Sequence, residues 1–427
     1  MSKQDINCSF CGAAQARDKP LIAGANAYIC EECIKLAQQM VTSWSVKTTI
    51  AETFKSPPIP EAIKKHLDGY VIGQEDAKET LSVAVYNHYK RLNHSRDELG
   101  SLGDNTEVEI EKSNILLIGP SGSGKTLLAR SLAWIVHVPF VTIDATTMTQ
   151  AGYIGDDVEI VLQRLLEAAE GHVGRAEWGI VYIDEIDKIA RSAGLSANMR
   201  DVSGEGVQQA LLRLVEGGEV SVTVRGKKQS SPEKVAMDTR NVLFIIGGAF
   251  QGLSTIVEKR VQVGNTNIGF HAPIDANMGK SPPQNLLSGI LTDDLRHYGL
   301  IDEFIGRFPV IATLDPLNEK DLVRILTETR NAITQQYKKL LAMDGIELDF
   351  TDGAILSIAH EALHSGSGAR GLRGVLERIL RRVMFQAPSN PDIIRCVVDE
   401  AAVAGDSEVQ IIFSQDDVSP REATANG

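Results

Sequence analysis

Apolar residues along the chain recur with two different periods, and the change of period marks out the elements. Short, mostly apolar stretches at Ile115–Ile118, Phe140–Ile143, Ile180–Ile183 and Asn241–Ile246 are too short for helices and read as buried strands. Between them, Thr126–His137 and Val158–Glu170 carry apolar residues at helical spacing, and Glu75–Leu92 does so before the first strand. Strand and helix in alternation predict an α/β fold, a parallel sheet with helices on both faces. After Pro316 the pattern turns mainly helical, over Asp321–Ala342, Asp352–His364 and Gly371–Ala387, with short strands near Ile346–Phe350, Ile393–Val398 and Val409–Phe413.

The remaining stretches organise the rest. At the N-terminus, Ile34, Ala37, Met40, Val41 and Trp44 fall at helical spacing behind a cysteine-rich segment, a stripe suited to dimerisation or docking. Periodicity fades from Ser45 to Pro60, where Pro57, Pro58 and Pro60 favour extended backbone, so this reads as a linker. The polar segment Arg96–Lys112 and the Gly-, Asn- and Pro-rich residues 251–290 are expected to be surface loops. The expected division is a cysteine module over 1–44, a linker over 45–60, a large α/β domain over 61–315, a small, mainly helical domain over 316–415 and a polar tail over 416–427.

Composition narrows the function classes. The 427 residues carry 43 Lys and Arg against 56 Asp and Glu, a net charge of −13, which argues against sequence-blind nucleic-acid binding. No apolar run approaches the roughly 20 residues that span a bilayer, and the first residues lack a secretory apolar stretch, so a cytoplasmic protein is expected. Four of the five cysteines are paired as Cys8-x-x-Cys11 and Cys30-x-x-Cys33. Each close pair grips one edge of a tetrahedron, so the set predicts a closed structural Zn²⁺ site, worth roughly 10–16 kcal/mol in small peptides. Cys396 lies in an apolar run and reads as core.

The chemistry centres on Gly119-Pro120-Ser121-Gly122-Ser123-Gly124-Lys125-Thr126, a full phosphate-loop motif between a strand and a helix that continues through Leu127. Its glycines let backbone N–H groups turn toward phosphates, Lys125 reaches the terminal phosphates and Thr126 ligates Mg²⁺. Farther on, the Ile180–Ile183 strand ends in Asp184-Glu185. Asp184 is positioned to hold the metal's water shell and Glu185 to polarise the attacking water, so ATP and Mg²⁺ are the expected ligands and hydrolysis the expected reaction.

With these motifs in order behind a four-cysteine module, the chain resembles the AAA+ ATPases and, among them, the ClpX family of Clp-protease unfoldase subunits. The resemblance runs from Met1 to about Phe413. It implies a ring-shaped homohexamer that recognises tagged or unfolded proteins, unfolds them through an axial pore and delivers them to the ClpP peptidase, with adaptor proteins docking on the zinc module and no nucleic acid or membrane involved. It also implies roles for individual residues. Tyr70-Val71-Ile72-Gly73-Gln74 is similar to the segment whose apolar residues, Val71 and Ile72, hold adenine. Gly152-Tyr153-Ile154-Gly155 resembles the substrate-gripping pore loop, and residues 191–206 a second one. Arg307, in Gly306-Arg307-Phe308-Pro309, matches the finger that meets a neighbour's nucleotide. Arg370, in Gly368-Ala369-Arg370, matches the second sensor, and Ile268-Gly269-Phe270 the peptidase-docking tripeptide. One departure stands out. Where the family has Arg-Lys-His at the pore entrance, this chain has Arg225-Gly226-Lys227-Lys228, which keeps the charge and loses the imidazole. At the first-sensor position, Gly247 and Gly248 offer no polar side chain.

Two other readings remain open at this point. His360-Glu361-Ala362-Leu363-His364 matches the zinc-protease helix motif, which would make the chain a metalloprotease. Against it stand the missing third ligand and the sensor motif four residues later. A zinc-containing DNA-remodelling ATPase would require basic stripes with stacking aromatics, and the zinc module offers only Phe10, Tyr28 and Trp44 among scattered charges.

Overall fold

The computed structural model describes residues 7–14, 20–24, 27–37, 57–98, 110–149, 156–190, 204–224, 233–265 and 286–414. Near the N-terminus, β1 (Leu21–Ala23) and β2 (Tyr28–Cys30) pair antiparallel, and a helical stretch over 31–37 follows. Two helices then precede the main sheet, α1 (Pro60–Asp68) and α2 (Glu75–Glu98). The sheet's elements follow in chain order: β3 (Ile115–Ile118), α3 (Lys125–Ile135), β4 (Phe140–Asp144), α4 (Ile160–Ala168) and β5 (Ile180–Asp184). Next come α5 (Glu205–Glu216), the hairpin β6 (Glu219–Val224) and β7 (Glu233–Asp238), and β8 (Leu243–Gly248). The stretch closes with α6 (Leu253–Asn265), α7 (Thr292–Tyr298), α8 (Asp302–Gly306) and β9 (Val310–Thr313).

Five strands form one wholly parallel sheet in the order β9–β3–β8–β5–β4. Side chains alternate between faces along a strand, so each strand feeds two cores. Leu116, Ile118, Val181, Ile183, Phe244 and Ile246 pack on one face with Leu211 and Phe304 from α5 and α8. Ile115, Leu117, Ile180, Tyr182, Leu243 and Ile245 pack on the other with Leu67, Leu81 and Leu128 from α1, α2 and α3. Burial on both sides explains why these strands are continuous apolar runs rather than alternating ones. It also gathers the strands' C-terminal ends at one edge, where β3, β5 and β8 deliver their loops.

A third core lies in the C-terminal part. It is built from α9 (Glu319–Thr327), α10 (Ile333–Met343), β10 (Glu347–Phe350), α11 (Asp352–His364), α12 (Ala369–Gln386), β11 (Ile393–Val398), α13 (Glu400–Ala404) and β12 (Gln410–Phe413), with Leu322, Leu348, Ile358, Leu376 and Cys396 inside. Its three strands run β10–β11–β12, parallel and then antiparallel.

The sequence expectation does not include α1, α5, the β6–β7 hairpin, α7, α8, β9 or α13, and three of its stretches differ in extent. The single helix expected over Asp321–Ala342 is two helices. The break between Thr327 and Ile333 turns the Arg330 N–H onto the Gly69 carbonyl at 2.8 Å, and Thr334 Oγ1 bonds the Leu326 carbonyl at 2.5 Å. The stretch over 251–290, expected to be loop, opens with α6. Helix α2 runs to Glu98, past the Arg96 at which a loop was expected. The stripe of Ile34 and Ala37 lies within the described residues, whereas Met40, Val41 and Trp44 lie outside them.

A buried histidine ties α2 to this sheet. His88 is 4% exposed, with Nε2 3.1 Å from the Asn241 carbonyl just before β8. Burial first, then the positive charges of Arg91 and Lys112, push its pKa from 6.5 down to about 3. The unfolded chain therefore takes up this proton first as pH falls, and the stability that neutral His88 contributes is complete above about 6.5 and is lost toward 3. Urea midpoints measured from pH 7 down to pH 4 should fall less steeply for His88→Gln than for the parent chain.

Candidate functional site

The phosphate loop leaves β3 at Gly119, whose N–H donates to the Gly248 carbonyl at the end of β8 (3.2 Å). Gly122 and Gly124 take φ of +78° and +105°, left-handed conformations that side chains resist, so the loop can wrap before α3 begins. Lys125 Nζ lies back over the loop, donating to the Gly119 and Pro120 carbonyls at 2.6 and 2.9 Å. Burial holds its pKa below the ordinary lysine value, while Asp184 and Asp187 act the other way. Ser123 Oγ is buried without a hydrogen-bond partner among the described residues. A loop at a helix N-terminus with a lysine, an unpaired hydroxyl and two left-handed glycines fits a polyphosphate.

Two strands away, Asp184 at the end of β5 accepts from Thr126 Oγ1 at 3.0 Å through Oδ2. Its other oxygen accepts from Tyr182 Oη at 3.1 Å and from the Glu185 N–H at 3.0 Å. One hydroxyl and one carboxylate oxygen side by side make an oxygen pair suited to Mg²⁺, which keeps most of its water. Glu185 follows in the left-handed region, at φ 57° and ψ 33°, and its side chain is exposed. That kink departs from ordinary backbone for a non-glycine residue and turns the carboxylate away from the strand line.

Tyr182 was not singled out in the sequence, where it reads as one more apolar strand residue. Its ring is fully buried, burial pushes its hydroxyl pKa up, and its Oη touches the carboxylate that pairs with Thr126. A Cβ on Gly247 would stand 2.2 Å from that hydroxyl, and one on Gly248 would stand 2.6 Å from the Phe250 ring and 2.7 Å from Asp187 Oδ1. Gly247 and Gly248 therefore make room for a phenol and a carboxylate arriving from the β5 side. The signal available in the sequence was a lone polar-tipped residue two positions before Asp184.

Other residues converge from farther along the chain. Val71 and Ile72 are buried, and Val71 Cγ1 approaches to 3.6 Å of where a Gly124 Cβ would be, so the apolar segment adjoins the phosphate loop. Gln74 anchors it. Its Nε2 donates to the Asp315 carbonyl (2.9 Å) and its Oε1 accepts the Asp315 N–H (2.8 Å). From the C-terminal part, Arg370 Nη1 donates to Ser121 Oγ at 3.3 Å, and the Ser367 carbonyl lies 2.6 Å from a Gly122 Cβ position. Pro120 and Leu127 lie on the same loop and helix. Arg307 sits at the end of α8 and bonds Glu216, away from this cluster. Tyr153, Ile154, Ile268, Gly269, Phe270 and Arg225–Lys228 lie outside the described residues, as do residues 191–203 of the second pore-loop assignment.

The four cysteines meet as expected. Cys8, Cys11, Cys30 and Cys33 place their sulfurs within 4.8 Å of one another. Cys11 and Cys30 Sγ are 3.7 Å apart, close to the edge of about 3.8 Å that four Zn–S bonds of 2.3 Å require. Cys8 Sγ also accepts the Cys30 N–H at 3.4 Å, a contact that favours thiolate. Backbone N–H groups, that of Cys11 foremost, pull the Cys8 thiol down to about 6, whereas hydrogen bonding to the Cys11 side chain pushes Cys33 up to about 12. A dication resolves this crowding by binding all four as thiolates.

The zinc-protease motif does not assemble a centre. His360 and His364 are exposed and stack edge to face at 4.4 Å. Glu361, the would-be base, is bound to Arg378 Nη2 at 2.6 Å, and among the described residues only the four cysteines form a set of three or more metal donors. No helix among the described residues is long and apolar enough to cross a membrane.

Comparisons with known proteins match three separate stretches of the chain. Residues 6–43 match the ClpX C4-type zinc finger, residues 110–311 the AAA domain (Cdc48 subfamily), and residues 317–396 the C-terminal, D2-small domain of ClpB protein. The chain is 58% identical over 416 residues to ATP-dependent Clp protease ATP-binding subunit ClpX 3 of Methylococcus capsulatus, covering 96% of this chain and 95% of that one. It is 54% identical over 394 residues to ATP-dependent Clp protease ATP-binding subunit ClpX of Azotobacter vinelandii, covering 92% and 88%.

The bond from Tyr182 to Asp184 yields a test. Tyr182→Phe keeps the ring and removes the hydroxyl, so Asp184 loses one of the groups that orient it. In steady-state ATP hydrolysis titrated with Mg²⁺, the half-saturating concentration should rise by about tenfold, as for loss of a hydrogen bond to a charged ligand.

Proposed function

The chain belongs to the ClpX family of AAA+ ATPases, binding ATP with Mg²⁺ and structural Zn²⁺, and from that premise we propose that it is a protein unfoldase and translocase that recognises tagged proteins and delivers them to the ClpP peptidase. The observation that carries the coupling is the contact between the phosphate loop and the C-terminal part. Gly122 packs on Ser367, and Ser121 bonds Arg370. A nucleotide entering this seam touches both parts at once, so its hydrolysis and release can shift one against the other. The Gln74–Asp315 pair extends the seam, because it joins the apolar adenine segment to the stretch that leads from β9 into α9.

In this reading Lys125 and the loop residues Pro120–Gly124 hold the phosphates, and Thr126 and Asp184 hold the metal's oxygen shell. Bound Mg²⁺ offsets the charge of the phosphates. Glu185 accepts a proton from the attacking water, Val71 and Ile72 hold the base, Arg370 reports the nucleotide from the small domain and Arg307 reaches a neighbouring subunit's site. Tyr153 and Ile154 grip the substrate in the axial pore of a homohexamer, and Ile268-Gly269-Phe270 docks on ClpP. The zinc module over 1–44 receives adaptors, joined through 45–60 to a large domain over 61–315 and a small one over 316–415. The setting is cytoplasmic. Proteolysis then belongs to the partner, in keeping with Glu361 being occupied by Arg378.

The decisive assay mixes the chain, Mg²⁺ and ATP with a fluorescent protein bearing a short C-terminal recognition tail, and follows both fluorescence and the substrate on a gel. Loss of fluorescence with the substrate chain intact is expected. Fragments without added peptidase would restore the protease reading, and hydrolysis stimulated by DNA rather than by protein would favour the remodelling one. In the same assay Glu185→Gln should bind ATP while turnover falls by roughly 10²–10⁴. Retained turnover would remove Glu185 from its role. Tyr153→Ala should hydrolyse ATP at near the parent rate yet leave most of the fluorescence, and normal unfolding would undo the pore assignment.

A further inference from the structure

Arg307 is gripped at both ends by residues that no motif names. Its carbonyl accepts from Asn114 Nδ2 at 2.9 Å. Asn114 is 1% exposed, and its Oδ1 in turn accepts the Phe244 N–H of β8 at 3.2 Å. Immediately after Asn114 comes β3, the strand that ends in the phosphate loop. At the other end of the side chain, Arg307 Nη2 donates to Glu216 Oε1 at 2.8 Å, from the last residue of α5. Helix α5 is itself fixed to both neighbouring segments through Gln208, which is fully buried. Its Oε1 accepts the Ile301 N–H that leads into α8 (2.9 Å), and its Nε2 donates to the Ile189 carbonyl a few residues past Glu185 (2.8 Å).

An ion pair with both side chains about half exposed adds little to stability, so Glu216 is poorly explained as a fold-stabilising residue. An arginine that must reach a phosphate across a subunit boundary has a different need. Its side chain turns about several bonds, and each unproductive rotamer dilutes the one that reaches the ligand. A carboxylate that takes one terminal nitrogen removes most of those rotamers and leaves other donors of the guanidinium fork available. We propose that Asn114 and Glu216 are positioning residues for Arg307, Asn114 setting its backbone on the strand that feeds the chain's own phosphate loop and Glu216 aiming its guanidinium at the neighbour. This rests on the reading of Arg307 as acting on the adjacent subunit's nucleotide.

The test uses the full chain with ATP and Mg²⁺. Glu216→Ala, at a surface position, should lower kcat by roughly tenfold with the KM for ATP little changed, and Glu216→Gln, which keeps an acceptor oxygen, should recover most of the loss. Arg307→Ala combined with Glu216→Ala should be no slower than Arg307→Ala alone. Mixed assemblies separate positioning from a general structural defect. Chains carrying Glu185→Gln do not turn over but still offer an intact Arg307, so adding them should raise hydrolysis by the Glu216→Ala chains. A Glu216→Ala chain damaged at its own site would gain nothing. Near-parental turnover in Arg307→Ala would overturn the finger reading and this inference with it. Loss in Arg307→Ala but not in Glu216→Ala, multiplied losses in the double variant, or no gain on mixing would overturn the positioning role and leave the finger reading standing.

Discussion

Burial of β3, β5 and β8 on both faces is the constraint from which the rest of the site follows. A strand covered on both sides cannot satisfy its backbone with water, so these strands pair with one another, and with helices on each face they do so in parallel. Parallel pairing places their C-terminal ends side by side. The phosphate loop, the Asp184-Glu185 pair and the Gly247-Gly248 end are then neighbours without any further long-range instruction. The hydrogen bond from Thr126 to Asp184 crosses an intervening strand, and its 3.0 Å length depends on the register of all three.

The same edge explains why the C-terminal part matters to chemistry. Its core is separate, built around Leu348, Ile358, Leu376 and Cys396, yet Ser367 and Arg370 reach the phosphate loop from the α11–α12 turn. Gly368 occupies that turn at φ +56°, with Gly122 packed directly against it. Two glycines facing each other bring two backbones closer than side chains would permit. A nucleotide site built this way has one wall on each part of the chain, which is the geometry that a motor needs and a simple binding module does not.

Much of this was legible in the sequence, and the reasons differ by feature. The sheet strands were readable because double-sided burial writes an unbroken apolar run, as in Ile115–Ile118. The cysteine cluster and the phosphate loop were readable because their chemistry fixes residue type at fixed local spacing. Helix boundaries were less so. The break between α9 and α10 depends on Arg330 turning to Gly69, more than 250 residues earlier, and no local pattern encodes that partner. The grip of Gln74 on Asp315, of Asn114 on Arg307 and of Tyr182 on Asp184 was hidden for the same reason. Each is a polar side chain of ordinary type whose role is set by what the fold brings to it. The protease motif shows the converse, since a local match at His360 and His364 lost its meaning once Glu361 was found bound to Arg378.

The packing of Tyr182 against Gly247 constrains how such a sequence can drift. The phenol fills the space that any side chain at Gly247 would need, and its hydroxyl stands where a polar group on that residue would have pointed. The two positions are therefore sterically coupled. A larger residue can enter at Gly247 only when Tyr182 shrinks, and a single substitution at either leaves an overlap or a hole beside the Asp184 carboxylate. A small residue at this place on β5 would leave room for a side chain at the end of β8, so passage between the two arrangements requires a paired exchange rather than a series of independent steps.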